Sequence, residues 1–293
     1  MKVKKAVILA AGFGTRMLPA TKAVPKEMLN IIDKPAIQYI VEELAASGVT
    51  DILIVLSRGK SAVQEHFDRA PELEAALIDK NKQLYEQLIY TSKIAELTYV
   101  RQQEMKGSGN AVLCGKGFVG NEPFVVVYPD DIMVANVPVT AQICKAYEKH
   151  GLGAVAMKEF SDEDIVKYSS LDAKMLENEN NVYKITDMVE KPTKEQVFTN
   201  FSILGRCVLP AKIFGILEET KPGLGGEIWL TDAMKRLARE DGMVGVDFEG
   251  VRYDAGNKLG FLKAVTEIAL SNEDVGGEFR EYLNQIIRKD NQL

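Results

Sequence analysis

The chain has 293 residues, 46% of them apolar, and carries 36 Lys and Arg against 42 Asp and Glu, for a net charge of -6. That length and apolar content support a large buried core and argue against disorder. The acidic balance, with no long basic run, argues against a nucleic-acid partner, because phosphate-backbone binding needs clustered cations.

From the N-terminus, apolar runs alternate with helical patterns. Residues 5–10 read as a buried strand, followed over residues 9–29 by LAAGFGTRMLPATKAVPKEML. Gly12 and Gly14 would let backbone amides approach phosphate oxygens, and Arg16, Lys22 and Lys26 would offset the charge. A loop of this kind suits a nucleoside triphosphate and points to nucleotidyl transfer. It is not a dinucleotide fingerprint: Met17 stands where the third glycine belongs, and Pro19 where a helix should begin. Ala36, Ile37, Ile40, Val41 and Leu44 mark one face of a helix ending near Gly48, and residues 52–56 form the next strand. Gly59-Lys60-Ser61 has only the tail of a phosphate-binding P-loop, with Ile54 in place of its first glycine, and reads as a loop opening a helix.

Residues 71–93 are polar but helical in character, 98–101 a short strand, and 110–117 a helix leading into the β-branched strand at 124–128. The β-α-β-α-β order implies a Rossmann-like, mostly parallel sheet flanked by helices, which binds ligands at the carboxyl ends of its strands. Ala11-Gly12 and Pro129-Asp130-Asp131 both fall there. Strand-like runs at 154–160, 182–190 and 202–209 then follow without regular crossovers, so antiparallel members are expected. Helical patterns at 213–219 and 227–239, a strand at 244–248 and helices at 258–271 and 278–288 complete the chain. The simplest organisation is one domain with a nucleotide-binding half (1–150), a sugar-binding half (151–257) and C-terminal helices (258–293).

The candidate chemistry lies at the strand ends. Asp130 follows a strand and Asp254 arrives in the same way after Val251-Arg252-Tyr253; two such carboxylates suit Mg2+, which takes one or two carboxylates and fills its other positions with water and phosphate oxygens. Each aspartate alone also reads as a turn residue, and it is the cationic glycine loop that tips the joint reading to a metal. In Val189-Glu190-Lys191-Pro192, the proline keeps the segment extended. Glu190 could accept sugar hydroxyls and Lys191 hold a phosphate, although an exposed ion pair explains the same residues. Gln102 and the glycines of Lys106-Gly107-Ser108-Gly109 could close over a nucleoside, or form an ordinary strand-to-helix turn. Gly225-Gly226-Glu227-Ile228-Trp229-Leu230-Thr231-Asp232 is either a ligand contact or a helix entry. Cys114, Cys144 and Cys207 lack metal-ligand spacing and are expected as buried thiols in a reducing compartment. His66 and His150 have no partner motif. The apolar run at 6–11 is too short for export or membrane insertion, so a cytoplasmic protein with no membrane partner is expected.

Taken together, these segments resemble the bacterial UTP-glucose-1-phosphate uridylyltransferases, or UDP-glucose pyrophosphorylases, of the sugar nucleotidyltransferase superfamily. The resemblance runs through nearly the whole chain, on Leu9-Ala10-Ala11-Gly12-Phe13-Gly14-Thr15-Arg16 with Pro25-Lys26-Glu27-Met28, on Pro129-Asp130, on Val189-Glu190-Lys191-Pro192 and on Asp254-Ala255-Gly256-Asn257-Lys258. It implies Mg2+-assisted attack of a hexose 1-phosphate on the α-phosphorus of UTP. Arg16 and Lys26 would grip the triphosphate, Lys191 the sugar phosphate, and Asp130 with Asp254 the metal. Ala10, Ala11, Gly12, Gly14, Glu27, Gln102 and Gly107 would surround the nucleotide, and Ser169, Glu190 and Gly205 the sugar. The chain departs from the family at Tyr168-Ser169-Ser170-Leu171, where Tyr-Gly is usual; this keeps galactose or an N-acetylhexosamine beside glucose as the sugar. A homodimer or homotetramer is expected, with the terminal helices as a contact. A non-catalytic nucleotide-sugar sensor of the same fold is the rival reading.

Overall fold

The computed structural model describes residues 2–290. In chain order, the first half comprises β1 (Lys5–Ala10), β2 (Asn30–Ile31), β3 (Lys34–Pro35), α1 (Ala36–Ala46), β4 (Asp51–Leu56), α2 (Ser61–Phe67), α3 (Pro71–Leu77), α4 (Lys82–Thr91), β5 (Glu96–Arg101), α5 (Ser108–Leu113), α6 (Lys116–Val119), β6 (Phe124–Val127), β7 (Asp131–Val134) and α7 (Val139–His150). The second comprises β8 (Gly153–Glu159), β9 (Ser169–Met175), β10 (Val182–Glu190), β11 (Phe201–Leu209), α8 (Ile213–Glu219), α9 (Leu230–Glu240), β12 (Met243–Asp247), β13 (Val251–Asp254), α10 (Lys258–Ser271) and α11 (Gly276–Asp290).

Nine strands make one continuous sheet in the order β5-β4-β1-β6-β11-β8-β12-β10-β9. β5, β4, β1 and β6 run parallel, as the alternating first half implies. β11 enters antiparallel between β6 and β8, and β10 and β9 extend the far edge antiparallel. The sheet is covered on both faces, and β1 records this residue by residue. Ala6, Ile8 and Ala10 join one buried cluster, Val7, Leu9 and Ala11 the other. α1 seals the first face with Ile37, Ile40, Val41 and Leu44, spaced to fall on one side of the helix. Each such aliphatic side chain, fully withdrawn from water, contributes about 1.5–3 kcal/mol.

Two differences from the sequence reading bear on the site. β9 is a strand where the sequence marked none, because two of its three buried positions are Ser169 and Ser170 and its burial does not alternate. α9 begins at Leu230 and not at Glu227, since the preceding residues are held extended: Ile228 N–H donates to Lys106 O (2.8 Å) and Ile228 O accepts from Gly109 N–H (2.8 Å). The parallel pairing of β1 with β6 sets the ends of these strands side by side, so Ala11-Gly12 lies next to Pro129-Asp130. β7 and β13 pair separately, with Asp131 opposite Asp254.

Candidate active site

Beyond β1 the chain does not enter a long helix but makes three short 3-10 turns, Thr15–Met17, Ala20–Lys22 and Lys26–Met28. Gly14 sits at φ +69°, and a Cβ there would stand 3.2 Å from Cβ of Lys26, so the glycine lets the loop fold onto the Lys26 segment. Beneath the loop lies Lys60. Its ammonium donates to Ala10 O (2.6 Å), to Gly12 O (2.7 Å) and to both carboxylate oxygens of Glu27 (2.9 and 2.8 Å). Burial pushes the Lys60 pKa down, against the pull of Glu27. Glu27 is 1% exposed and Ala10 is fully buried, so these two expected nucleotide residues support the loop from below.

Above the loop is a cavity of about 360 Å³ lined by Ala11, Gly12, Phe13, Lys26, Gln102, Met105, Gly107, Ser108, Tyr128, Asp130 and Glu227. Gln102 is fixed in this wall: its amide N–H groups donate to Asn110 Oδ1 (2.8 Å) and Gly107 O (3.2 Å), which leaves the carbonyl oxygen for a ligand. Ser108 and Tyr128 also belong to an adjoining cavity of about 180 Å³, together with Tyr168, Ser169, Glu190, Gly205, Trp229, Thr231 and Arg252. The two cavities thus meet at Ser108 and Tyr128, the first of them close in sequence to the Lys106–Ile228 pairing. A larger cavity of about 760 Å³, between α1, β7 and α10, contains none of the expected site residues.

In the smaller cavity Glu190 accepts from Thr231 Oγ1 (2.9 Å), and burial raises its carboxyl pKa. Gly205 adopts φ +54°, and a Cβ there would stand 2.5 Å from the Asp131 carboxylate, so no side chain fits. Lys191 is not extended as its proline neighbour suggests: it takes φ +47°, an uncommon conformation for a non-glycine residue. The bend lets its backbone N–H donate to Tyr168 O (2.7 Å), while Nζ lies 5.1 Å from the centre of the Trp229 ring. Ser169 opens β9 and its hydroxyl faces the protein, bonded to Ser202 Oγ (2.9 Å) and accepting from Ile203 N–H (3.2 Å). Ser169 thus lines the cavity while its hydroxyl is engaged within the protein.

The carboxylates complete the arrangement. Asp130 Oδ2 accepts from Lys26 Nζ at 2.8 Å and lies 3.4 Å from Arg16 Nη2. Burial opposes its charge, yet these cations hold the Asp130 carboxyl below its ordinary range. Asp254 closes in from β13, where Ala255 N–H donates to Asp130 O (2.7 Å). A Cβ on Gly256 would stand 2.6 Å from Asp130 Oδ2, 2.7 Å from Arg16 Nη2 and 3.0 Å from Asp254 Oδ1. One small region, kept open by a glycine, is therefore bordered by two carboxylates and a guanidinium. Among the described residues no group of three or more His, Cys, Asp or Glu is placed to hold a metal. Two hard oxygen donors at the edge of the cavity that Asp130 lines nevertheless fit Mg2+, which keeps most of its positions for water and phosphate.

Three residues outside the expected set organise the site. Lys60 is one. Arg206, fully buried, bonds Glu43 of α1 through Nε (3.0 Å) and Nη2 (2.5 Å), and donates to Tyr128 O, Gly205 O and Asp131 O. Its signal was a charged residue inside an apolar strand. Arg252 pairs with the Asp131 carboxylate and lies 5.6 Å from the centre of the Tyr168 ring. Burial pushes Asp131 up to about 6 against that pairing. The histidines lie elsewhere, His66 Nε2 on Gln38 (2.9 Å) and His150 beside Glu179. Cys144 and Cys207 are buried, but Cys114 is only half-buried, with Sγ 3.4 Å from Asn110 O.

A glycine loop and paired carboxylates at the carboxyl edge of such a sheet define a nucleotidyl transferase, and residues 5–271 match the Nucleotidyl transferase family, to which the chain belongs. Within it, the chain groups with the UTP–glucose-1-phosphate uridylyltransferases. It is 44% identical to UTP–glucose-1-phosphate uridylyltransferase YngB of Bacillus subtilis (strain 168), over 99% of this chain and 97% of that protein. It is 45% identical to UTP–glucose-1-phosphate uridylyltransferase 2 of Staphylococcus saprophyticus, over 97% and 98%. Its fold superposes with a TM-score of 0.84 on a UDP-glucose pyrophosphorylase solved in complex with UDP-glucose, at 38% identity, covering 92% of this chain and all of that one.

Proposed function

We propose that this chain transfers a uridylyl group from UTP to α-D-glucose 1-phosphate, giving UDP-glucose and pyrophosphate. The observation that carries this reading is the approach of Asp130, Asp254 and Arg16 to one region above Gly256, at the mouth of a cavity lined by Lys26 and Gln102. A phosphate oxygen of the sugar attacks the α-phosphorus, a new P–O bond forms in line, and the bond to the departing pyrophosphate breaks. The nucleophile is already ionised at neutral pH, so no general base is needed, in keeping with a site free of histidine. The protein's work is to position two anions and spread the charge that builds up.

Gly12, Ala11 and Gly107 bring backbone close to the nucleotide, and Arg16 with Lys26 hold the triphosphate. Gln102 offers its carbonyl to the N3–H of uracil; its Asn110 and Gly107 partners disfavour the flip that would serve cytosine. Lys191 leaves the Trp229 face for the sugar phosphate, and Glu190 with the backbone of Gly205 orients the hexose. Mg2+, held by Asp130 and Asp254, would supply Lewis-acid stabilisation of phosphate charge. Because the Ser169 hydroxyl is engaged within the protein, its presence gives no reason to prefer galactose or an N-acetylhexosamine over glucose. The half at 1–150 supplies most of the nucleotide cavity and the half at 151–257 most of the sugar cavity, with Ser108 and Tyr128 shared, and the terminal helices make a homodimer or homotetramer contact. Among the described residues no helix is long and apolar enough to cross a membrane, and a cytoplasmic location suits the substrates.

Pyrophosphate release across a matrix of nucleoside triphosphates and sugar 1-phosphates tests the reading. Preferred use of UTP with glucose 1-phosphate is expected, with Asp254→Asn lowering turnover at least about 100-fold. Nucleotide-sugar binding without turnover would establish the sensor instead.

A further inference from the structure

We infer that Lys60 is a positioning residue for UTP, setting the shape of the glycine loop and the place of Lys26 without touching the substrate. This rests on the uridylyltransferase reading above. An ammonium has three donors, and Lys60 has three acceptor groups: Ala10 O at 2.6 Å, Gly12 O at 2.7 Å and the Glu27 carboxylate at 2.8 Å. The side chains of Lys60 and Glu27 are 8% and 0% exposed.

Two consequences follow for the nucleotide cavity. Drawing the carbonyls of Ala10 and Gly12 to one buried cation fixes the Ala10–Ala11 and Gly12–Phe13 peptide planes, and with them the amides of Ala11 and Phe13, two residues that line the cavity. Holding Glu27 fixes its neighbour Lys26, whose ammonium reaches Asp130 Oδ2 at 2.8 Å. One buried side chain therefore sets both the backbone and the cationic part of the triphosphate site. It does not line the hexose cavity, whose walls come mostly from the 167–169 segment, β10, β11 and the 229–234 segment, with Ser108, Tyr128, Asp131 and Arg252 completing them.

Removing one member of a buried ion pair leaves an uncompensated charge, whereas replacing both is often tolerated. The test therefore compares Lys60→Met with the double variant Lys60→Met/Glu27→Met by melting temperature and by steady-state pyrophosphate release. The single variant is expected to melt earlier, and the double variant to recover much of that loss. In the double variant KM for UTP should stay raised by about 10- to 100-fold, the scale expected of groups misplaced by roughly an ångström, while KM for glucose 1-phosphate moves less than threefold. A native KM for UTP in the double variant would reduce Lys60 to a neutraliser of Glu27. Equal rises for both substrates would show general loosening, and would equally overturn the inference. A wild-type protein that turns over no UTP would instead defeat the uridylyltransferase reading, leaving melting behaviour to report on the pair alone.

Discussion

At the scale of single residues, the proposed function divides the site into groups that would meet substrate and groups that hold those groups in place. Lys191 belongs to the first kind. Its strained φ of +47° and its position over Trp229 keep a cation beside the hexose cavity. Lys191→Met should raise KM for glucose 1-phosphate about tenfold or more, the loss expected for one charge-assisted hydrogen bond, and leave KM for UTP nearly unchanged. Separate substrate titrations by pyrophosphate release check this. The first kind was legible in the sequence because its chemistry is local: glycines beside cations after a strand, aspartates at strand ends. The second kind was not. Lys60 meets Glu27 across 33 positions, Arg252 meets Asp131 across 121, and Arg206 meets Glu43 across 163. Only the fold creates those pairs.

At the scale of elements, the segment before α9 and the turn before α5 form one structural joint between the two cavities. Gly107 lies at φ +93°, and a Cβ there would stand 2.7 Å from Ile228 O. Gly107→Ala is therefore expected to destabilise the protein by about 1–3 kcal/mol through backbone strain and overpacking, and to weaken both substrates. Gly117→Ala, in a helix and with nothing within 4 Å of its added Cβ, should be neutral or slightly stabilising. Thermal melts of the two variants make the comparison. The sequence offered Gly225-Gly226 and the following residues as a helix entry or a ligand contact, and could not resolve them. The segment does begin a helix, but only after its extended part has bonded to Lys106 and Gly109, a pairing across more than a hundred residues that no local propensity encodes.

At the scale of the molecule, the main sheet carries the glycine loop and Asp130 to one edge, the separate β7–β13 pair brings Asp254 to them, and β11 crossing back between β6 and β8 joins the halves of the chain. Arg206 of β11 makes that join specific, tying Glu43 of α1, and through it Thr140 of α7, to the backbone around Asp131. Arg206→Met should cost about 3 kcal/mol, because Glu43, largely covered, would lose its counter-ion and keep only Thr140 as a partner. Chemical denaturation measures this, and Arg206→Met/Glu43→Gln should regain part of the loss. The parallel first half was legible because buried β-branched runs alternate with amphipathic helices. The position of β11 was not, since strand order depends on pairings the periodicity does not specify.

The account depends on Asp130 and Asp254 serving one divalent ion. Anomalous diffraction from crystals grown with Mn2+ and UDP-glucose tests this most directly. We predict one peak within about 2.5 Å of an oxygen from each carboxylate and beside a phosphate oxygen, as expected for a small hard cation. A peak bound by only one of the two aspartates, or none between them under saturating nucleotide sugar, would contradict it.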